Sequence, residues 1–280
     1  MKLKLFFYNL LPKQVLTILA GKLANKKLGF LTKLFIRLFA KKYNIDLLSD
    51  DIDKTSNFKT FNDFFTRKLN SKARQIDFAR SNIISPVDGR VSQFGVLNKG
   101  ELFQAKGMKY TSLGLLGEKI NLNFKEGSYI TQYLSPADYH RVHMPYDGFL
   151  ESIFYIPGKL ESVSSLVVDA KPNIYSKNER LVCLFSTDIG KMCIVFVAAT
   201  IVGQINTIFY GIINKTHKEG SFSKDFSSLN IFLKKGEELG YFQLGSTIIT
   251  IFDQDIEFKN FAENEKILMG ETLGSLNFNL

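Results

Sequence analysis

From Ile83 onward the chain is a succession of short runs rich in β-branched and aromatic residues, and this feature limits the possible fold more than any other. Turn-forming pairs such as Asp88-Gly89 and Asp147-Gly148 separate the runs. Runs of this length and composition are typical of β-strands. The sequence therefore predicts a β-rich domain with strands at 90–95, 128–134, 149–156, 181–185, 192–197 and 246–252.

The first 45 residues differ from this domain in charge. They contain ten Lys or Arg and no Asp or Glu, whereas the whole chain carries a net charge of +9. Residues 46–280 are therefore close to neutral. Because this larger part has no basic excess and no recognisable nucleic-acid motif, the sequence argues against a nucleic-acid partner.

The basic segment 1–45 is also apolar at helical spacing. Leu31, Leu34, Phe35, Leu38 and Phe39 recur three and four residues apart, which predicts an amphipathic helix. The longest uncharged runs, 5–12 and 14–21, are eight residues each, and a bilayer-spanning helix needs roughly 18. Two fates remain open for the apolar face: packing on the protein's own core, or lying in a membrane interface.

The charge of this segment favours the membrane, since attraction to an anionic leaflet is worth about 1 kcal/mol per Lys or Arg near the surface. Lysines interrupt the apolar runs, which argues against a signal peptide. A further aromatic helix is predicted at 58–66. The predicted fold class is thus α+β, with domains 1–45 (membrane-interface helices) and 46–280 (a β-rich domain, which would be the catalytic domain if the chain is an enzyme).

Two of the three histidines lie in the segment SPADYHRVHMP. Ser135-Pro136 is typical of a helix start, and on a helical turn His140 and His143 would project to a similar side. A catalytic pair, two structural histidines and a metal site are all open interpretations. The metal site lacks a third ligand, because no HExxH motif or cysteine cluster is present.

Asp88 and Ser246, taken singly, are as well explained by turns as by chemistry. In combination the motifs say more. The segments SPVDGRV, QYLSPADYHRVHMPYDG and FQLGSTIITIF, in this order, resemble phosphatidylserine decarboxylase of the bacterial and mitochondrial type. The resemblance continues through FNDFFTRKL, IPGKLESV, NERLVCLF and VAATIVGQI, and covers nearly the whole chain including the basic N-terminus.

This resemblance implies a proenzyme that cuts itself between Gly245 and Ser246. Ser246 would be the nucleophile, His143 the base and Asp88 the carboxylate that orients the base. Cleavage would give chains 1–245 and 246–280 held as a heterodimer, and would convert Ser246 into a covalent pyruvoyl group, the cofactor. No metal is implied.

The resemblance also implies the reaction. The pyruvoyl carbonyl would form a Schiff base with the amine of phosphatidylserine and serve as the electron sink for decarboxylation to phosphatidylethanolamine. His140 would act in this step, donating a proton to the carbon that loses CO₂. The resemblance further implies that the two-chain unit forms a homodimer. The cytoplasmic side of a bacterial cell membrane is the expected location, because no export signal or disulfide framework is evident.

Three alternatives remain at this stage. A pyruvoyl-dependent decarboxylase of a soluble amino acid would share the cleavage chemistry without needing the basic arm. A serine hydrolase would use Ser246, His143 and Asp88 without cutting its own chain. A non-catalytic peripheral membrane protein would use the arm alone, with the β domain as a platform.

Overall fold

The structure, a computed structural model, describes residues 5, 8–47, 58–117, 124–201, 204–214, 220–243 and 246–276. The polar, acidic segment 46–57, which the sequence predicts to be a linker, therefore lies largely outside the described residues, as do Leu244 and Gly245. The helices of the described part are α1 (Lys13–Ala24), α2 (Phe30–Tyr43), α3 (Phe61–Phe65), α4 (Ser112–Leu116), α5 (Ser165–Val168) and α6 (Ile174–Lys177), with a 3-10 helix at Ser227–Leu229.

The body of the protein is built from strands. They are β1 (Asn82–Ile84), β2 (Gly89–Val96), β3 (Glu101–Ala105), β4 (Met108–Thr111), β5 (Ser128–Leu134), β6 (Arg141–His143), β7 (Gly148–Ile156), β8 (Arg180–Thr187), β9 (Gly190–Val197), β10 (Gln204–Thr207), β11 (Gly211–Asn214), β12 (Phe222–Asp225), β13 (Phe232–Leu233), β14 (Glu238–Gln243), β15 (Ser246–Phe252), β16 (Ile256–Phe258), β17 (Lys266–Ile267) and β18 (Thr272–Leu276). The predicted α+β class is confirmed. The six predicted strands are found as β2, β5, β7, β8, β9 and β15.

The largest sheet has the strand order β12-β7-β8-β9-β15-β5-β2-β17, with β13 beside β7. Its central strand β15 pairs antiparallel with β5 on one side, from Ser246 opposite Leu134 to Phe252 opposite Ser128, and with β9 on the other. All seven residues of β15 are buried. A strand buried on both faces is read in the sequence as a continuous β-branched run, as STIITIF is.

The strand before β15 belongs to a different sheet, with the order β11-β10-β14-β6. The chain therefore passes from one sheet to the other between Gln243 and Ser246, through Leu244 and Gly245, which are not among the described residues. The bond that the sequence predicts to be cut lies in this crossing. Both flanking strands are anchored by ladders on either side.

The N-terminal helices have one face on the body and one face outside. Phe39 of α2 packs edge-on against Phe61, Phe64 and Phe65, with ring centroids 5.0, 6.2 and 6.3 Å apart. α2 ends at Asn44, which takes the left-handed conformation with φ 54°. α3 begins with a capping box between Thr60 and Asp63.

The outer face of these helices is a continuous set of exposed apolar side chains. They flank a groove of about 480 Å³ between α1 and α2. One of the two fates considered for segment 1–45, packing on the protein's own core, is thus found for one face, and the other face is exposed. None of the described helices is long and apolar enough to span a membrane. The exposed side chains are Leu10, Leu11, Val15, Ile18, Leu19, Leu23, Leu28, Phe30, Leu31, Leu34, Phe35 and Leu38.

Candidate active site

Ser246, the first residue of β15, borders a cavity of about 230 Å³. The side chain is 1% exposed, and among the described residues its Oγ has no hydrogen-bond partner. Other buried hydroxyls, such as those of Thr247 and Thr250, are also unpaired among the described residues, but of these three side chains only Ser246 lines the cavity. The cavity is lined by Phe39, Tyr43, Phe65, Tyr133, Leu134, Pro136, Ser162, Val163, Ser164, Ala199, Thr200, Ile201 and Ser246.

Helix α2 forms one wall of this cavity. Phe39 and Tyr43 reach it from α2, and Phe39 and Ile201 also line the apolar groove between α1 and α2. The groove and the Ser246 cavity are therefore neighbours that share two side chains. Lys13 of α1 forms an ion pair with Glu161 at 3.2 Å, and Glu161 directly precedes Ser162 of the cavity lining.

The segment that carries both histidines is not helical, and the predicted helical turn at Ser135-Pro136 is wrong. The carboxylate of Asp138 accepts a hydrogen bond from the Ser135 amide at 2.7 Å, which closes a local turn. The chain then extends into β6, where Arg141 pairs with Tyr241 and His143 with Glu238 of β14. The ladder continues one step further, because the Phe242 amide donates to the His140 carbonyl at 3.2 Å.

This extended backbone separates the two histidines. Side chains alternate along a strand, so His140 projects opposite to Arg141 and His143, not to the same side as predicted. His140 is level with Phe242, close to the sheet crossing, and His143 lies roughly 10 Å further along the strand.

His140 is fully buried beneath Phe65, with ring centroids 4.1 Å apart. Its Nδ1 donates to the Asp138 carbonyl at 2.8 Å, which leaves Nε2 as a lone-pair acceptor for which no described residue is a partner. Burial lowers the pKa of His140 to about 3. The ring is thus neutral at pH 7 and must first take up a proton before it can serve as the expected donor.

His143 has partners on both ring nitrogens. Nδ1 donates to the Gly236 carbonyl at 2.8 Å, and Nε2 accepts from the Tyr139 hydroxyl at 3.0 Å. Burial lowers the pKa of His143, while the Gly236 hydrogen bond and the charges of Glu238 and Asp88 act in the opposite direction. A neutral ring with its lone pair on Nε2 can act as a base.

Asp88 lies near His143 but does not hydrogen-bond to its ring. Its carboxylate is held by two bonds from Arg74, Nε to Oδ1 at 3.0 Å and Nη2 to Oδ2 at 2.5 Å. Oδ1 also accepts from the Met269 amide at 2.9 Å. The orienting contact expected from Asp88 is thus made by Gly236, and Asp88 acts on His143 through its charge.

Sequence reasoning missed several residues that shape the site. Arg74 fixes Asp88, Tyr139 contacts the predicted base, and Gly236 sets its tautomer. Arg67 is buried beside the histidine segment and donates to the Ala137 carbonyl at 3.2 Å. Of these residues, only Tyr139 could have been found from the sequence. Once the segment is recognised as extended, residues 139 and 143 are expected on the same side of it.

The polar groups at and around Ser246 show what the site offers chemically. Within the described ranges, no three His, Cys, Asp or Glu side chains are grouped as metal ligands. Ser246 presents a buried Oγ, unpaired among the described residues, at the start of a buried strand and at the wall of the cavity. Thr247, next to it, also has a buried unpaired hydroxyl.

Comparison with known proteins identifies the family. The family model described as "Phosphatidylserine decarboxylase" matches residues 61–275, and one described as "PSD" matches residues 3–44. A protein of Vibrio parahaemolyticus named phosphatidylserine decarboxylase proenzyme is 45% identical over 269 residues, covering 94% of each chain. Proteins of the same name from Alteromonas mediterranea and Dechloromonas aromatica are 42% and 41% identical, covering 98% and 95% of this chain and 86% and 95% of theirs.

The family match covers the strands, both histidines and Ser246, and the relatives align over almost the full length of the chain. Identity above 40% over such a length shows membership of the family and not only a similar fold. The chain belongs to the phosphatidylserine decarboxylase family, and it is an enzyme of the decarboxylase class.

Proposed function

We propose that this protein decarboxylates phosphatidylserine to phosphatidylethanolamine at a membrane surface, using a pyruvoyl group that it makes from Ser246. The observation that carries the proposal is the unpaired, buried Ser246 hydroxyl in a cavity that adjoins an exposed apolar groove. Family membership supports the reaction, and the free hydroxyl supports the origin of the cofactor.

Self-processing needs a nucleophile, a base and a bond at a crossing of two anchored strands. The Ser246 Oγ attacks the Gly245 carbonyl carbon, an O–C bond forms, and the amide C–N bond breaks to leave an ester. Loss of the Ser246 α-proton then expels the Gly245 carboxylate and leaves dehydroalanine, which reacts with water to give pyruvoyl and ammonia. His143 is the proposed base, and the Asp88 charge, held by Arg74, stabilises the protonated ring.

The two products of cleavage are expected to remain together. The 35 residues of chain 246–280 include β15, the buried strand between β5 and β9, together with β17 beside β2 and β18 beside β1. Met269 also donates to Asp88 of the other chain. Removing the small chain would open the centre of the main sheet, which supports a stable heterodimer.

In the decarboxylation step, the pyruvoyl carbonyl supplies the electron sink for the bond that breaks to release CO₂. His140 is the proposed proton acceptor and donor in this step. Its neutral Nε2 accepts a proton from the substrate ammonium group and later returns it to the carbon that has lost the carboxylate. Burial under Phe65 keeps the ring neutral beforehand and excludes bulk water from Nε2.

The experiment that tests this function compares two substrates. Protein mixed with vesicles containing phosphatidylserine labelled in the serine carboxyl group is expected to release labelled CO₂ and to form phosphatidylethanolamine. Free labelled serine at equal concentration should give no release above background. Equal release from both, or release from serine alone, would favour the soluble amino-acid alternative, and no release from either would sink the proposal.

The exposed face of the arm is proposed to lie in the membrane interface. Replacing Leu31 and Leu38, both more than half exposed on α2, with Glu is expected to weaken binding to anionic vesicles at least about tenfold. Each change removes apolar surface from the interface and adds a charge that an anionic leaflet repels. Vesicle cosedimentation at fixed salt measures the effect.

The matched control is Leu229→Glu, an equally exposed leucine outside the arm. It should bind vesicles as the parent protein does. The double variant should also keep its self-cleavage, because neither leucine lines the Ser246 cavity. Unchanged vesicle binding by the double variant would show that the apolar face serves another purpose.

A further inference from the structure

Two segments of the Ser246 cavity wall, 162–164 and 199–201, are held by hydrogen bonds from segment 1–45. The Ser162 amide donates to the Tyr8 hydroxyl at 2.6 Å, and the Ile201 amide donates to Thr17 Oγ1 at 2.9 Å. Each bond joins the backbone of a cavity-lining residue to a side chain near the N-terminus. Segment 1–45 therefore holds the cavity wall through its backbone as well as through apolar packing.

The Tyr8 hydroxyl contacts both segments of the wall. It accepts from the Ser162 amide, donates to Glu161 Oε2 at 2.8 Å, and lies 3.4 Å from Thr200 Oγ1. Burial raises the pKa of Tyr8 to about 12, so the hydroxyl keeps its proton at pH 7. Glu161 is itself fixed by its ion pair with Lys13. One hydroxyl thus ties the two segments to each other and to the N-terminal helices.

Ile201 has a backbone conformation that β-branched residues rarely adopt. Its φ is 75°, in the left-handed region, where the Cβ atom crowds the backbone. Such a conformation persists only where the surrounding structure fixes it, and the Thr17 hydroxyl binds this residue's amide. The Ile201 side chain lines both the Ser246 cavity and the apolar groove. Loss of the Thr17 bond would allow the backbone to relax and would move this shared wall.

Resting on the function proposed above, we infer that Tyr8 and Thr17 are positioning residues for decarboxylation, which set the shape of the cavity that receives the substrate headgroup. Neither side chain lines the cavity, so each acts through the residue to which it bonds, Ser162 or Ile201. Segment 1–45 is on this account part of the reaction site as well as a membrane anchor.

Thr17→Val tests the inference, because it keeps the side chain's shape and removes the oxygen that Ile201 binds. With vesicles of phosphatidylcholine and carboxyl-labelled phosphatidylserine, release of CO₂ is expected to fall about tenfold, since a shift of about 1 Å can misalign a reacting group by enough to cost this much. The loss should persist at saturating phosphatidylserine, because the bound headgroup is misplaced. Vesicle cosedimentation should be unchanged, because Thr17 is only 5% exposed.

Thr17→Ser is the matched control, since it retains the hydroxyl and should keep the parent rate. Tyr8→Phe removes only the other hydroxyl and is expected to slow the reaction in the same way. Its control is Tyr129→Phe, whose hydroxyl likewise accepts from a backbone amide, that of Phe103 at 3.0 Å, and should have no effect. A Thr17→Ser protein as slow as Thr17→Val would overturn the inference, because the hydrogen bond would then not be the cause.

Intact-mass measurement establishes first that every variant has been cut, so that the rates refer to processed protein. Parent-like rates for Thr17→Val and Tyr8→Phe would overturn the inference. A loss of CO₂ release matched by an equal loss of vesicle binding, or by incomplete cleavage, would overturn it too. A parent protein that releases no CO₂ from phosphatidylserine would instead remove the proposed function, so the two failures are distinguishable.

Discussion

Replacing Ser246 by alanine is expected to leave one uncut chain of 31.8 kDa that releases no CO₂ from phosphatidylserine. The change removes both the only oxygen proposed to attack the preceding carbonyl and the atoms from which the cofactor is made. The loss should therefore be complete, not partial. Intact-mass measurement should give one mass for this variant and two for the parent protein, divided between residues 245 and 246.

A control in the same strand separates chemistry from stability. Thr250 of β15 is buried and its hydroxyl has no partner in the described part of the chain, so Thr250→Val removes a buried hydroxyl while keeping the side chain's shape. This variant should be cut and active. A parent protein that stays whole and yet decarboxylates phosphatidylserine would refute a cofactor made from Ser246, and so would a cut Ser246→Ala protein.

The strands around Ser246 could be predicted because buried strands have a distinctive local composition. β5 and β15 have the predicted bounds, 128–134 and 246–252, and both are central strands of the main sheet. A strand covered on both faces needs a continuous run of β-branched and aromatic residues, which is visible locally. The N-terminal helices were equally visible through their apolar spacing.

The segment around the histidines could not be predicted in the same way. Ser135-Pro136 followed by Asp138 is a good helix start in isolation, yet Asp138 closes a turn and β14 then holds the next residues as an edge strand. That partner lies about a hundred residues away in sequence. Local propensity has no access to such a pairing, so the facing of His140 and His143 was misjudged.

The partners of the site residues were out of reach for a similar reason. Nothing near Asp88 in the sequence indicates Arg74, and nothing near His143 indicates the Gly236 carbonyl. A backbone carbonyl carries no residue signal at all. The resemblance to a family supplied the residues and their expected roles, whereas the structure supplies the groups that hold them.

Matched substitutions of the two histidines are expected to block different steps. Asparagine can place an amide nitrogen where Nδ1 lies, so each variant keeps its bond to a backbone carbonyl and loses only Nε2. His143→Asn should remain bonded to Gly236 and fail to cut, slowed by about 10²- to 10⁴-fold. His140→Asn should remain bonded to Asp138, cut normally and release almost no CO₂.

Mass measurement and CO₂ release on the same two preparations check this. The opposite phenotypes follow from strand alternation: His140 projects under Phe65, whose ring also lines the Ser246 cavity, while His143 faces Tyr139 and the Asp88 charge. Strand β6 and the residue before it can therefore hold His143 and His140 on opposite faces. Each histidine would serve one of the two reactions proposed for Ser246, self-cleavage and decarboxylation. If His140→Asn also fails to cut, the two faces share one reaction and this division of roles is wrong.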